Sequence, residues 1–184
     1  MKRIQKIKEV CTISGGYAFK SNDFTRQGIP IIRIGDISGN KVNISSGTVF
    51  FEEYNEKLNK FIIEKGDILV ALSGATTGKF GIYDEEIQAL LNQRVAKISP
   101  KENINNKYLY HYMNKLQNII YNKALGCAQP NISPNEIGEI EIYVPSRLEQ
   151  DKISDVLDIA KDLIDKRKKQ IEELDLLVKS KFIE

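Results

Sequence analysis

The side chains able to do chemistry are few, and their spacing decides what that chemistry is. His111 is the one histidine of the 184 residues, which argues against catalytic triads and His-rich metal sites. It reads as a helix-surface or domain-packing histidine. Gly74-Ala75-Thr76-Thr77-Gly78-Lys79 superficially resembles a phosphate loop. It is one residue short of the GxxxxGK[ST] spacing, and Phe80 stands where a Ser or Thr must bind magnesium. Nucleotide hydrolysis is therefore rejected. No Asp/Glu-x-Lys occurs, which argues against the usual metal-dependent nuclease arrangement. Asn/Asp-Pro-Pro-Tyr/Phe, which holds a flipped adenine, and GxGxxG are also missing. No catalytic or metal-binding residue is assigned, so any chemistry must come from partners.

Contact with DNA is the positive expectation. The Gly74–Lys79 loop offers the hydroxyls of Thr76 and Thr77, backbone N–H groups freed by glycines, and Lys79. Such a loop can approach phosphates or enter a groove. A plain β-turn between strands ending at Leu72 and starting at Phe80 is the compatible structural reading. Asn92-Gln93-Arg94 carries side chains suited to base edges, Asn and Gln for adenine and Arg for guanine.

The elements that must position these residues follow from periodicity. Ile29–Ile34, Thr48–Phe51, Asp67–Leu72, Phe80–Tyr83 and Arg94–Ile98 are short β-branched or aromatic runs separated by turn residues. Their irregular spacing predicts a small curved sheet with functional loops. Leu109, Met113, Leu116 and Ile120 then recur at helical spacing, with Tyr112 and Ile119 widening the stripe and Gly126 as the stop. Ser133-Pro134-Asn135-Glu136 is a capping box. Glu139–Val144 alternates as a half-buried strand, with Ile140, Ile142 and Val144 inward. A second capping box, Ser146-Arg147-Leu148-Glu149, opens a run without Gly or Pro. Its apolar seam is Ile153, Leu157, Ala160, Ile164, then Arg167, then Ile171, Leu174 and Val178, widened by Leu163, Leu177 and Phe182. The helix either folds back on its own domain or forms a coiled-coil arm. The second reading is preferred, because so long a seam exceeds what a domain this size can cover. Arg167 would then set register or orientation.

Composition bounds the rest. Hydrophobic residues make up 41% and the net charge is only +2, so a basic face must be local. Cys11 and Cys127 form no CxxC, and no apolar run approaches the ~18 residues a membrane span requires. A soluble, cytoplasmic protein is expected.

Taken in order, the motifs resemble one half of the specificity (S) subunit of type I restriction–modification systems. The residues that carry the resemblance are Ser14–Phe24, Gly28–Ile34, Lys65–Leu69, Gly74–Lys79, Asn92–Val95, Tyr108–Tyr110, Val144-Pro145 and Leu148–Ile153. The resemblance implies an α+β fold: a target recognition domain over residues 1–145 with a small curved β-sheet and helices, then one long C-terminal coiled-coil helix over 146–184. It implies a non-catalytic subunit that directs adenine methylation, and restriction, by its partners. Those partners are double-stranded DNA, modification (methyltransferase) subunits and a restriction subunit. S-adenosylmethionine, Mg and ATP would be bound by partner subunits, and this chain would take no cofactor. The full subunit holds this unit twice, with the two helices antiparallel. One copy is present here, so the resemblance implies a half-subunit that forms a homodimer, or a truncated subunit that pairs with a second specificity half. The ending Leu177–Glu184 is similar to the family's central junction.

A motif shared by subunits with different targets cannot encode the target. Asn92–Arg94 is therefore assigned to structure or phosphate contact, and loop residues to base reading. The loop candidates are Lys41, Asn43, Ser45, Ser46, Asn55, Lys57, Asn59, Lys60, Gln129 and Asn131. Lys20, Arg26 and Arg33 are candidate phosphate anchors, with a strand-surface charge as the alternative for Arg33. Lys166–Lys169 reads as a solvated basic cluster, with partner binding second. The runner-up function is a helical protein–protein interaction module that does not bind DNA, and a solitary nuclease ranks third.

Overall fold

The computed structural model describes residues 3–52, 55–125 and 129–181. β1 (Ile4–Lys6) runs into one helical turn, α1 (Ile7–Val10), and then β2 (Cys11–Gly15). β3 (Ile29–Ile32), β4 (Ile37–Ser38), β5 (Asn40–Val42) and β6 (Val49–Phe51) follow. Next come β7 (Ile62–Ile63), β8 (Ile68–Ala71), β9 (Phe80–Ile82), β10 (Ala89–Leu91) and β11 (Val95–Pro100). α2 (Asn106–Ala124), α3 (Pro134–Gly138), β12 (Glu141–Tyr143) and α4 (Arg147–Lys181) come last.

β8 organises the core because all four of its residues are buried. Ile68 and Val70 pack on the side of α2, against Leu109, Met113, Leu116 and Ile120. Leu69 and Ala71 pack on the other side, with Ile32, Ile63 and Leu91. A strand covered on both faces needs an unbroken apolar run, which is what its sequence supplies. The expected curved sheet is a six-stranded one, ordered β2-β11-β8-β9-β5-β4, beside a four-stranded one, β6-β3-β10-β7. Ile31 and Leu90 of the second sheet meet Phe19 and Leu58 in an outer cluster. The four stripe residues of α2 are fully buried, each stabilising by about 1.5–3 kcal/mol relative to exposure. Asn105 caps α2, its Oδ1 accepting from Lys107 N at 2.8 Å. The stop expected at Gly126 lies outside the described residues, as do Cys127 and Phe182; the helix ends at Ala124.

Two expectations change in detail. The run Ile29–Ile34 stops being a strand at Ile32, because residues 34–36 tighten into a 3₁₀ turn. Asp36 holds that turn, accepting from Arg33 N at 2.8 Å and Thr48 Oγ1 at 3.0 Å. The strand expected over Glu139–Val144 shortens to Glu141–Tyr143, because Glu139 still caps α3, although Ile140, Ile142 and Val144 do point inward. The partner of that strand is β1, with Gln5 opposite Ile142.

Ser146 and Glu149 close the capping box of α4, with Ser146 N donating to Glu149 Oε2 at 2.9 Å. The helix is 35 residues, roughly 50 Å at ~1.5 Å per residue. Only Gln150 and Ser154 of α4 are buried. The seam residues point away from the body, from 37% exposed at Ile153 to 59% at Leu174. The body therefore does not cover the seam.

Candidate nucleic-acid interface

Three segments converge where β8 ends. Leu72 N donates to Arg94 O (2.8 Å), Ile132 N to Leu72 O (2.9 Å) and Gly74 N to Pro130 O (2.9 Å). The turn after β8, the turn after β10 and the segment 129–132 thus form one surface. A Cβ on Gly74 would lie 3.5 Å from Gln129 Nε2 and 4.0 Å from the δ-carbon of Ile34, which joins the Arg33 turn to the same face.

The Gly74–Lys79 loop departs from the expectation. The backbone N–H groups of Gly74, Thr77, Gly78 and Lys79 all donate within the body, so the glycines free none of them for phosphate. Gly78 has φ +84°, and a Cβ there would meet Gln117 O of α2 at 2.5 Å. Its glycine serves helix packing. Thr77 is buried, its hydroxyl donating to Gly74 O at 2.7 Å. Thr76 Oγ1 is sealed from solvent. Both threonines are corrected from DNA contacts to parts of a β-turn. Lys79 remains exposed, on the α2 side of the turn.

Asn92 is buried and structural: its N donates to Ile32 O at 3.1 Å, and its Oδ1 accepts from Arg94 N at 3.2 Å. A Cβ on Gly16 would come within 2.2 Å of Asn92 O, which explains the glycine before Tyr17. Gln93 and Arg94 project their side chains outward. With Phe24, Arg33 and Ile34 they line a groove of about 460 Å³ that holds two guanidinium groups and no carboxylate. Arg33 is not a free strand-surface charge. Its Nη2 donates to Gly47 O at 2.7 Å and its guanidinium lies 5.9 Å from the Phe24 ring centre. Its Nε is buried without a partner. The guanidinium as a whole is planar, permanently charged and set on a groove without carboxylates, which suits an anion. Lys20 is exposed beside Ser21 at the groove's edge, and Gln129 and Asn131 are exposed beside the Gly74 turn.

Several loop candidates have local tasks. Asn43 Nδ2 donates to Ser38 Oγ, Ser45 Oγ accepts from Gly47 N, and Asn55 Oδ1 accepts from Lys57 N. Arg26, Lys41 and Ser46 are exposed. Lys57, Asn59 and Lys60 surround Tyr17, which sequence reasoning missed. Tyr17 is 42% exposed, with its ring 4.9 Å from Phe19 and 5.4 Å from Phe61. Its strand-like bridge to Asn92 places it beside Gln93. The signal was present as the Gly before it.

Chemistry finds little purchase. His111 Nε2 lies 2.7 Å from Asp158 Oδ1, packing α2 against α4. Lys107 and then His111 hold the Asp158 carboxyl below its usual range. Burial pushes the Cys11 thiol up to about 12, which makes it unreactive. Among the described residues, no group of three His, Cys, Asp or Glu is placed to hold a metal. Among them also, no helix is long and apolar enough to cross a membrane.

Comparison with known proteins decides the family. The profile of the type I restriction modification DNA specificity domain matches residues 2–175. The chain belongs to this family. Similar family members include the MjaVIII specificity subunit of Methanocaldococcus jannaschii, 27% identical over 179 residues, covering 94% of this chain and 42% of the relative. The MjaIX specificity subunit of the same organism is 30% identical over 185 residues, covering 97% and 42%. The chain thus spans about two fifths of the length of these relatives. The HsdS subunit of Thermoanaerobacter tengcongensis shares the fold, with a TM-score of 0.71 at 17% identity over 91% of this chain and 39% of that one.

Proposed function

We propose that this chain is a non-catalytic DNA sequence-recognition unit that directs adenine methylation and restriction by partner subunits. The observation that carries this reading is the carboxylate-free groove between Arg33 and Arg94, on the face where Gln93, Gln129 and Asn131 are exposed. Arg33 and Arg94 take phosphates and set the register, Lys20 adds positive charge at the groove's edge, and Lys79 adds it outside the groove, on the α2 side of the Gly74 turn. Gln129 and Asn131 approach base edges, where their amides suit adenine. Modification subunits bring S-adenosylmethionine and the methyl transfer, and a restriction subunit brings ATP- and Mg-dependent cleavage.

The arm pairs with a second specificity helix, and a second copy of this chain fits. Residues 147–165 hold 3 Lys/Arg and 6 Asp/Glu, whereas residues 166–181 hold 6 and 3. Antiparallel pairing lays the acidic half of one helix on the basic half of the other. Parallel pairing in register would set Arg167 against Arg167, with like charges along both halves. An antiparallel homodimer has two-fold symmetry, so its target is symmetric and interrupted.

Duplex-DNA binding by the full chain, followed against salt, tests the reading. Arg33→Ala and Arg94→Ala each weaken binding and each flatten the log–log salt slope by about 1. A protein-binding module would show no such inverse salt dependence, and the DNA reading would be abandoned.

A further inference from the structure

The root of the arm is built around one buried polar side chain. Gln150 is fully enclosed where α4 leaves the body. Its Nε2 donates to Asn103 O and to Pro145 O, both at 3.0 Å, and its Oε1 accepts from Asn105 N at 2.7 Å. Asn105 is also the cap of α2, and its Nδ2 donates to Asp151 Oδ1 at 2.6 Å. One amide therefore ties together the exit from β12, the start of α2 and the first turn of α4.

The contacts continue along one face of α4. Asp158 accepts from Lys107 Nζ at 2.9 Å and meets His111 Nε2 at 2.7 Å. Lys161 Nζ donates to Tyr110 Oη at 3.2 Å. The face of α4 that touches the body is thus polar from residue 150 to residue 161, while the apolar seam faces away. An apolar contact is non-directional and tolerates small rotations, whereas a set of hydrogen bonds has one good geometry.

We propose that Gln150, seconded by Asp158, is a positioning residue that fixes the angle of α4 on the body and thereby the distance between two half-sites. The proposal rests on the DNA-recognition reading given above. The lever is long: α4 has 35 residues, so a tilt of about 10° at its root carries the far end by roughly 9 Å. One base-pair step is only about 3.4 Å. A loosened root would therefore blur the spacer by more than one base pair, with the bases read at each half-site unchanged.

The test uses the motif methylated by the wild-type chain with its modification subunit. Duplexes carry that motif with its own spacer, or with a spacer one base pair shorter or longer. They compete for the full-length wild type, Gln150→Met and Asp158→Ala. The wild type prefers its own spacer by about tenfold or more. Both variants reduce that preference to within about threefold, while half-site base changes still weaken binding by the wild-type ratio. A ratio of affinities does not depend on the folded fraction. Asp158 is half-buried rather than enclosed like Gln150, so its variant decides the matter if Gln150→Met does not fold. An unchanged spacer preference in Asp158→Ala, or a wild type indifferent to spacer length, would overturn the proposal. A wild type that yields no methylated motif would overturn the DNA reading beneath it.

Discussion

Replacing Ile164 with alanine should dissociate the arm without disturbing the body. Ile164 is 54% exposed and sits in the middle of the seam of α4. Completing its burial contributes about half of the ~1.5–3 kcal/mol that full burial of such a side chain provides, or roughly 1 kcal/mol. A two-fold dimer contains the site twice, and the facing side chains lose their partner as well. The sum is roughly 2–3 kcal/mol, a rise of about 30- to 150-fold in the dimer dissociation constant. Sedimentation equilibrium over a concentration series reads that constant directly. Thermal unfolding of the body at high dilution should match the wild type, because Ile164 is not part of the body's buried clusters. An unchanged dissociation constant would refute the seam as the pairing surface. A large fall in body stability would refute the claim that the seam points away from its own domain.

Other perturbations separate the remaining arguments. Arg167→Leu should strengthen helix pairing but weaken its choice of orientation, so that single cysteines placed near either end of α4 cross-link in both parallel and antiparallel pairs. Gly78→Ala should destabilise the body by roughly 2–5 kcal/mol through its positive φ and the clash with Gln117 O, read as a lowered denaturant midpoint. Glu139 carries an acid-dependent contribution: hydrogen bonds from Lys6 and then Lys8 pull its carboxyl from 4.5 down to about 2. A lowered folded-state value stabilises above the unfolded value and is lost as pH falls through the folded one. Denaturant midpoints of the wild type and Glu139→Gln should therefore differ at pH 6, draw together below pH 4.5 and coincide near pH 2.

Much of this molecule was legible before its structure, for local reasons. The stripe of α2, both capping boxes and the doubly buried β8 depend on residues within one helix or strand, where periodicity and hydrogen-bond stereochemistry act directly. β1 and β12 are different, since each is three residues long and its partner lies some 140 residues away in sequence. β2 was hidden because it is short and ends in Ser14-Gly15, a pair that reads as a turn. The candidate surface was half visible. Gln93, Arg94, Gln129 and Asn131 do share a face, but side-chain type alone could not tell that Thr76 and Thr77 turn inward. Nor could it tell that the N–H groups of Gly74, Thr77, Gly78 and Lys79 are spent within the fold. Gln150 stood in a motif, yet its role needs Asn103, Asn105 and Pro145 brought around it. Tyr17 needed the bridge to Asn92 before its ring had an address.

The central claim is that this chain reads DNA as a symmetric pair. The most direct measurement is the N6-methyladenine map of cells that express the chain with its cognate modification subunit, set against cells that lack the chain. The account predicts a new methylated motif that is palindromic and interrupted by a fixed spacer. A stable complex with no new motif, or an asymmetric motif in the absence of any second specificity chain, would contradict it.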